Sequence, residues 1–531
     1  MKKILSLIVT FALLLPMLVA LPALADEVPT ITYWAVLEFT DTLTSNDDVV
    51  PLEKAQEMVG VNIEWQHPPV GQEKEQFNLL VASGELPDIV EYNWNSVYPG
   101  GAEAAIEDGC IIELNDVIDK YMPNYKAYLE KFPEVEKMVK TDTGKHYTIP
   151  YIYTATPADQ QHQSISGRLP AYETFMGFFI RQDLLDAYGL EMPVTLDDWY
   201  VTLKTFKENG IAYPLSGLWS HINESAAFVS AFDIAHDMFV DADGKTVRYG
   251  RTEPGYKDYL TYMNKLYSEG LLDPDFAIID GTTLKSKILN QEVGIWPGYT
   301  STYMGVQYDQ IHADNPDSKF YPVGITNPKL TEDQTLLYRQ ASYPFRNNGA
   351  CITTSCENVE AAAKFLDFFW TDEGDMMVNW GIEGESYVRD ENGTPVFTDA
   401  LKNDPNGLSP TQAFAYWRRQ NAPIAMDHQT RLMSKGSYTT PESINALYVW
   451  ELTNGTGSAT MPPVTLLPEE TTEYASKMTE IETYANEMRI KFIMGETSLD
   501  EFDNYVKQIE TMGLEDVLAI QQAALNRYNA R

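Results

Sequence analysis

Between Thr30 and Tyr92 short apolar runs of strand period alternate with amphipathic stretches of helix period, and that alternation restricts the chain to a sheet crossed by helices. Thr30–Leu37 reads as a strand. A helix follows with Leu52, Ala55, Met58 and Val59 on one face and Gly60 at its end, and Asn62–Gln66 reads as the next strand. A second helix gathers Phe77, Leu80 and Val81, stops at Gly84, and leads into a third strand at Asp88–Tyr92. Strands separated by helices need crossover connections, so these are expected to lie parallel.

The pattern recurs beyond Tyr153. Gly177–Arg181 reads as a strand, Thr195 as the N-cap, with Asp198 three residues on, of a helix reaching about Glu208, and Tyr213–Gly217 and Gly294–Trp296 as further strands. Between them lie a hairpin-like turn at Asp241–Gly244 and a helix carrying Tyr256, Leu260, Met263 and Tyr267. Residues 350–354 read as one more strand. After Asn358 the spacing of Val359, Ala362, Ala363, Leu366 and Phe369 predicts an amphipathic helix. The C-terminal end reads as helical, with a capping-box sequence at Ser498–Glu501 and Gly513 as a stop. A chain of 531 residues exceeds what one core usually serves, so two or three α/β lobes are expected.

Met1-Lys2-Lys3, an apolar run from Ile4 to Leu21, and Ala23-Leu24-Ala25 predict a signal peptide over residues 1–25, cut after Ala25. The run approaches spanning length, but the small-residue site favours cleavage over an anchor. No cysteine follows it to accept a lipid, so a secreted or periplasmic protein is expected. The formal charge of −39 becomes more negative without Lys2 and Lys3, which excludes nucleic acid and anionic membranes as partners. Cys110, Cys351 and Cys356 are an odd count and no disulfide framework; buried thiols are expected, with a Cys351–Cys356 bridge left open.

Catalytic signatures are absent: there is no G-x-S-x-G, H-E-x-x-H, P-loop or G-x-G-x-x-G. The seven histidines never fall close together, and Asp241-Ala242-Asp243 lacks the later ligands of a calcium loop. No metal, no other cofactor and no enzymatic activity are expected. A glycosidase carboxylate pair is defined by spatial separation, so a secreted carbohydrate-active enzyme stays as an alternative.

Leu86–Val90, Phe179–Leu185, Thr195–Trp199, Glu269–Phe276, Lys364–Gly374 and Trp380–Gly384 together resemble the carbohydrate-type extracellular solute-binding proteins of ABC importers, in particular the large oligosaccharide-binding branch. The resemblance covers nearly the whole chain after the signal. It implies an α/β, two-lobed periplasmic-binding-protein-like fold, each lobe a mainly parallel sheet flanked by helices, with a helical C-terminal region. The first lobe is expected from residues 28–152 and 346–382, the second from 153–345 and 383–531. Crossings are expected near Pro150–Tyr153, Tyr343–Asn348 and Trp380–Glu385. A monomer is implied that closes on an oligosaccharide and docks on a membrane ABC permease; a peptide or other nutrient on the same scaffold is the alternative. Many large relatives carry a calcium loop where this chain has Glu208–Ala212, so calcium is not carried over.

Ligands of open parallel sheets bind beyond the carboxyl ends of the strands. That rule selects Glu38 and Asp41 after the first strand and Tyr92, Asn93, Trp94 and Asn95 after the third. In the second lobe it selects Arg181, Trp219, Trp296 and Tyr299, and the first crossing adds Tyr151 and Tyr153. A sugar offers flat C–H faces and a rim of hydroxyls, so aromatic plates beside Asp, Asn and Arg suit it. Packing is the competing explanation for these tryptophans, an ion pair for Arg181.

Overall fold

The computed structural model describes residues 28–153, 176–338, 345–391, 393, 395–405, 407–408, 410–419, 425–426, 441–453 and 459–531. The signal-peptide reading lies outside these residues, as do Tyr343 and the side chain of Tyr153. The described strands are β1 (Thr30–Trp34), β2 (Asn62–Gln66), β3 (Ile89–Tyr92), β4 (Ile149–Tyr153), β5 (Met176–Arg181), β6 (Tyr213–Leu215), β7 (Met238–Val240), β8 (Val247–Tyr249), β9 (Val293–Tyr299), β10 (Pro322–Ile325), β11 (Phe345–Ile352), β12 (Tyr387–Arg389), β13 (Pro395–Phe397) and β14 (Ala425–Met426). Ten of them form two separate sheets, ordered β14-β4-β11-β3-β1-β2 and β10-β5-β9-β6.

In the first sheet β1 pairs parallel with both β2 and β3, as the crossover logic requires. The helices between them, Val50–Val59 and Glu73–Ser83, end on Gly60 and Gly84, whose φ angles of 76° and 70° favour a residue without Cβ. Leu52, Ala55 and Phe77 are buried, whereas Met58 is exposed. β11 returns between β3 and β4, antiparallel to both.

The second sheet corrects one expectation. β5 runs antiparallel to β9 and to β10, and only β6 and β9 are parallel, so this lobe is not mainly parallel. The alternation of helix and strand fixes that crossovers exist, but β5 sits between two strands from much later in the chain, whose direction local pattern does not record. Gly177 on β5 lies where an added Cβ would stand 2.4 Å from the Trp450 ring, and the Trp450 indole N–H donates to the Phe178 carbonyl at 3.1 Å. A close approach of this kind explains the glycine.

After residue 382 the chain does not stay with the second lobe. Ala415 packs in the first core, β14 pairs with β4, and the helix Pro441–Thr453 then lies against β5 and β10. Val464 packs on the first core again. The helix Pro468–Met494 starts beside Gly100 and ends with Phe492 and Ile493 in the second core. The last helix, Leu514–Ala530, begins in that second core and delivers Tyr528 to the first. Arg527 and Arg531 converge there on the buried carboxylate of Asp142, and Arg527 also pairs with Glu470 at 2.6 Å. The two cores are thus joined through this C-terminal corner. All three cysteines are unpaired; the Cys351 and Cys356 thiols are buried.

Candidate ligand-binding site

The carboxyl ends of β1 and β3 face one cavity of about 440 Å³, walled by Val36, Glu38, Glu91, Tyr92, Asn93, Val97, Asn348 and Arg419. Its floor is an ion pair. Glu91 is the third residue of β3, a charge at an interior strand position between Val90 and Tyr92, and only 5% exposed. Arg419 Nη2 donates to both of its carboxylate oxygens at 2.9 Å, and the Tyr33 hydroxyl donates to Oε2 at 2.8 Å. Burial opposes the charge of Arg419, but Glu91, Tyr33 and Glu38 more than offset it and hold its pKa above the ordinary arginine value. Burial, with Glu91 adding to it, pushes the Tyr33 hydroxyl well up, so it stays a donor.

Behind the arginine stands an aromatic wall. The Arg419 guanidinium lies 5.3 Å from the Trp65 ring and 5.8 Å from that of Tyr33. Trp65 stacks on His67, whose Nδ1 lies 2.8 Å from the Ala35 carbonyl while its Nε2 accepts from the Asn46 N–H at 3.2 Å. These partners place the proton on Nδ1. Burial lowers the His67 pKa, which agrees with a neutral ring.

Across the cavity, the side-chain carbonyl of Asn348 is buried and has no hydrogen-bond partner among the described residues. A buried acceptor of this kind is free to take a donor from a molecule that enters the cavity. Tyr92 forms a shared wall between this cavity and a second one of about 660 Å³ at the first turn of the helix Glu73–Ser83. Its ring is wedged between Trp34 and Phe77, at 5.6 and 4.9 Å. A third cavity, of about 610 Å³, is bounded by Asn95 and Ser96 of the first lobe and by Glu482, Thr483 and Asn486 on the long helix. All three cavities border the segment from Tyr92 to Val97.

Of the residues selected from sequence, Glu38, Tyr92 and Asn93 meet in the first cavity and Asn95 lines the third. Trp94 and Trp296 do not offer plates: both are 0% exposed. Asn93 caps a short helix, Trp94–Val97, accepting from the Ser96 N–H at 3.0 Å, and this turn swings Trp94 inward against Phe77 at 4.9 Å. Trp296 donates its indole N–H to the Tyr303 carbonyl at 2.7 Å and packs between Phe179 and Phe320. Arg181 is buried too. Its Nε and Nη2 form a bidentate pair with Asp183 at 2.7 and 2.5 Å, and its guanidinium covers Phe320, so it is a structural residue.

Asp41 is exposed, accepts from the Thr42 hydroxyl at 3.2 Å, and does not line the cavity. Tyr151 is buried on β4. Trp219 and Tyr299 are half-buried in the second lobe, Trp219 against Phe276 and Arg489, Tyr299 edge-on to His221. Glu91, Asn348 and Arg419 were missed. A glutamate inside the apolar strand Ile89–Tyr92 was the signal available for the first, since a buried charge needs a partner; nothing local marks the other two.

The cavity offers an aromatic face, fixed carboxylate and guanidinium groups, and an empty carbonyl acceptor. That set can hold a hydroxyl-rich molecule. Both oxygens of Glu91 already accept hydrogen bonds, which suits a holding role better than proton transfer. Among the described residues no helix is long and apolar enough to cross a membrane.

Residues 50–376 match the family of bacterial extracellular solute-binding proteins. The chain is 26% identical over 503 residues to the fructooligosaccharide ABC transporter substrate-binding protein FusA of Streptococcus pneumoniae, covering 90% of this chain and 87% of that one. Its fold is similar to that of the alginate-binding protein AlgQ2, with a TM-score of 0.71, 23% identity and coverage of 94% and 98%. The structure of S. pneumoniae FusA in complex with kestose is equally similar in fold, at 0.71, 22% identity and coverage of 94% and 99%.

Proposed function

Since the chain belongs to the family of bacterial extracellular solute-binding proteins, which a match over residues 50–376 establishes, we propose that it is the substrate-binding component of an ABC importer and captures an oligosaccharide between its lobes. The observation that carries this reading is the cavity at the ends of β1 and β3, where Tyr92, Glu38, Glu91 and Arg419 surround the empty carbonyl acceptor of Asn348. A sugar ring against Tyr92 would present C–H groups to the aromatic face and hydroxyls to the charged rim. The second cavity behind Tyr92 gives a chain of several sugars room to continue. FusA, a fructooligosaccharide protein whose complex with kestose is known, supports an oligosaccharide over a peptide. The protein binds and releases its ligand unchanged: the relatives are binding proteins, and Glu91 is locked by Arg419 and Tyr33. It acts outside the cytoplasm, released by cleavage after Ala25, and hands its ligand to a membrane permease.

A thermal-shift screen of fructo-oligosaccharides, other oligosaccharides and peptides tests the ligand class, because a molecule that binds only the folded chain raises its unfolding temperature. Oligosaccharide hits, recovered unchanged after incubation, are expected; peptide hits alone, or a hydrolysed sugar, would overturn the reading. Asn348→Leu locates the site. It removes a buried acceptor that has no partner, so stability should hold or rise while affinity for the hit falls by about 1–3 kcal/mol, roughly 5- to 150-fold. Unchanged affinity by titration calorimetry would move the site elsewhere.

A further inference from the structure

Two arginines lie buried side by side in the second lobe, and only one has its partners. Arg251 donates through Nε to the His236 carbonyl at 3.1 Å, through Nη1 to Asn486 at 2.8 Å and through Nη2 to Asp237 at 2.7 Å, with Glu482 at 3.0 Å. Arg489, one turn beyond Asn486 on the helix Pro468–Met494, is 5% exposed. Among the described residues it forms no ion pair, and its Nε and Nη1 are buried without a hydrogen-bond partner. Its guanidinium lies 5.1 Å from the ring of Trp219 and faces the Tyr256 hydroxyl.

The groups around Arg489 are in the same condition. Among the described residues both ring nitrogens of His236 and the hydroxyls of Tyr259 and Tyr505 are buried without a hydrogen-bond partner, and the buried Tyr256 hydroxyl faces Arg489. His236 stands edge-on to Tyr259 at 5.1 Å and to Tyr256 at 6.1 Å, and Tyr256 and Tyr259 are 5.3 Å apart. Burial lowers the His236 pKa well below its ordinary value, and Arg489 and Arg251 add to this, so the ring is neutral and presents one N–H. Burial raises the phenol of Tyr256, and Arg489 and Arg251 oppose that rise.

What these side chains lack can be read from their chemistry. A guanidinium only donates, each phenol donates one O–H, and the neutral imidazole donates one N–H, so unsatisfied donors outnumber acceptors. A water molecule brings donors of its own and serves such a set poorly. A buried cation without a counter-charge is also strongly unfavourable. Glu482, on the same helix, attracts Arg489, but its carboxylate is paired with Arg251 at 3.0 Å and accepts from the Tyr249 hydroxyl at 3.1 Å. We propose that a small monovalent anion of the size of chloride binds in the second lobe against Arg489, within the donor shell of His236, Tyr256, Tyr259 and Tyr505. Glu482 and Asn486, on the same helix as Arg489, line the cavity between the lobes. The high negative charge of the whole chain is screened over about 8 Å at physiological salt, so the local donors dominate.

Bromide replaces chloride and scatters X-rays anomalously, so crystals of the full chain grown in sodium bromide test the site directly. An anomalous peak in contact with the Arg489 guanidinium is expected; water alone at that position overturns the proposal. In solution, sodium chloride should raise the unfolding temperature above that in sodium gluconate of equal ionic strength, and Arg489→Gln should abolish the difference. Superimposable curves for the two salts in the unmodified chain would overturn it as well. Should Arg489→Gln fail to fold, the bromide map still decides.

Discussion

Arg419→Met lowers the folding free energy by about 3–5 kcal/mol, because it leaves the Glu91 carboxylate buried with no cation. Glu91 and Arg419 are 5% and 6% exposed, and each is the other's ion-pair partner. The second variant in the series separates this cause from lost packing. Glu91→Gln in the Arg419→Met background removes the stranded charge yet keeps an acceptor for the Tyr33 hydroxyl, so most of the loss should return. Urea denaturation measures both, and a double variant no more stable than Arg419→Met would refute the charge account. Because the pair also walls the ligand cavity, recovery of stability should not bring recovery of binding.

Trp296→Ala is the other substitution with a large expected effect, and the effect falls on stability. The ring is fully buried, packs between Phe179 and Phe320 on β9, and donates to the Tyr303 carbonyl. Truncation leaves a cavity and an orphaned carbonyl, for a loss of about 3–5 kcal/mol. Trp94→Ala should behave alike, since Trp94 fills the space against Phe77 and Tyr98. A variant that keeps its full urea midpoint but loses ligand affinity would return either tryptophan to the binding surface.

These two residues show where sequence reasoning succeeds and where it stops. The strand Asn62–Gln66, the cap of Thr195 with Asp198 and the helix stop at Gly60 were legible, because each rests on neighbours within a few residues. Of the residues selected around the loop after β3, Glu38, Tyr92 and Asn93 come together in one cavity. Trp94 failed because Asn93 starts a helical turn there, and which way that turn points a ring depends on Phe77 in another element. The antiparallel direction of β9 and β10 beside β5 and the return of β14 to the first sheet were hidden for a related reason: strand direction and sheet membership are settled by pairing between distant segments. Arg419 meets Glu91 across 328 residues, and Asn348 enters the site through β11. No spacing rule reaches that far.

The proposal that the ligand is captured between the lobes has a mechanical consequence. Contacts from the first lobe are in place at the ends of β1 and β3, and those from the second become complete only when the lobes approach, so ligand shifts the population toward a compact form. Small-angle X-ray scattering of the full chain, with and without a saturating oligosaccharide identified by the thermal screen, measures this directly. A smaller radius of gyration with the sugar is the predicted result; a radius that does not change under saturation would contradict capture by closure.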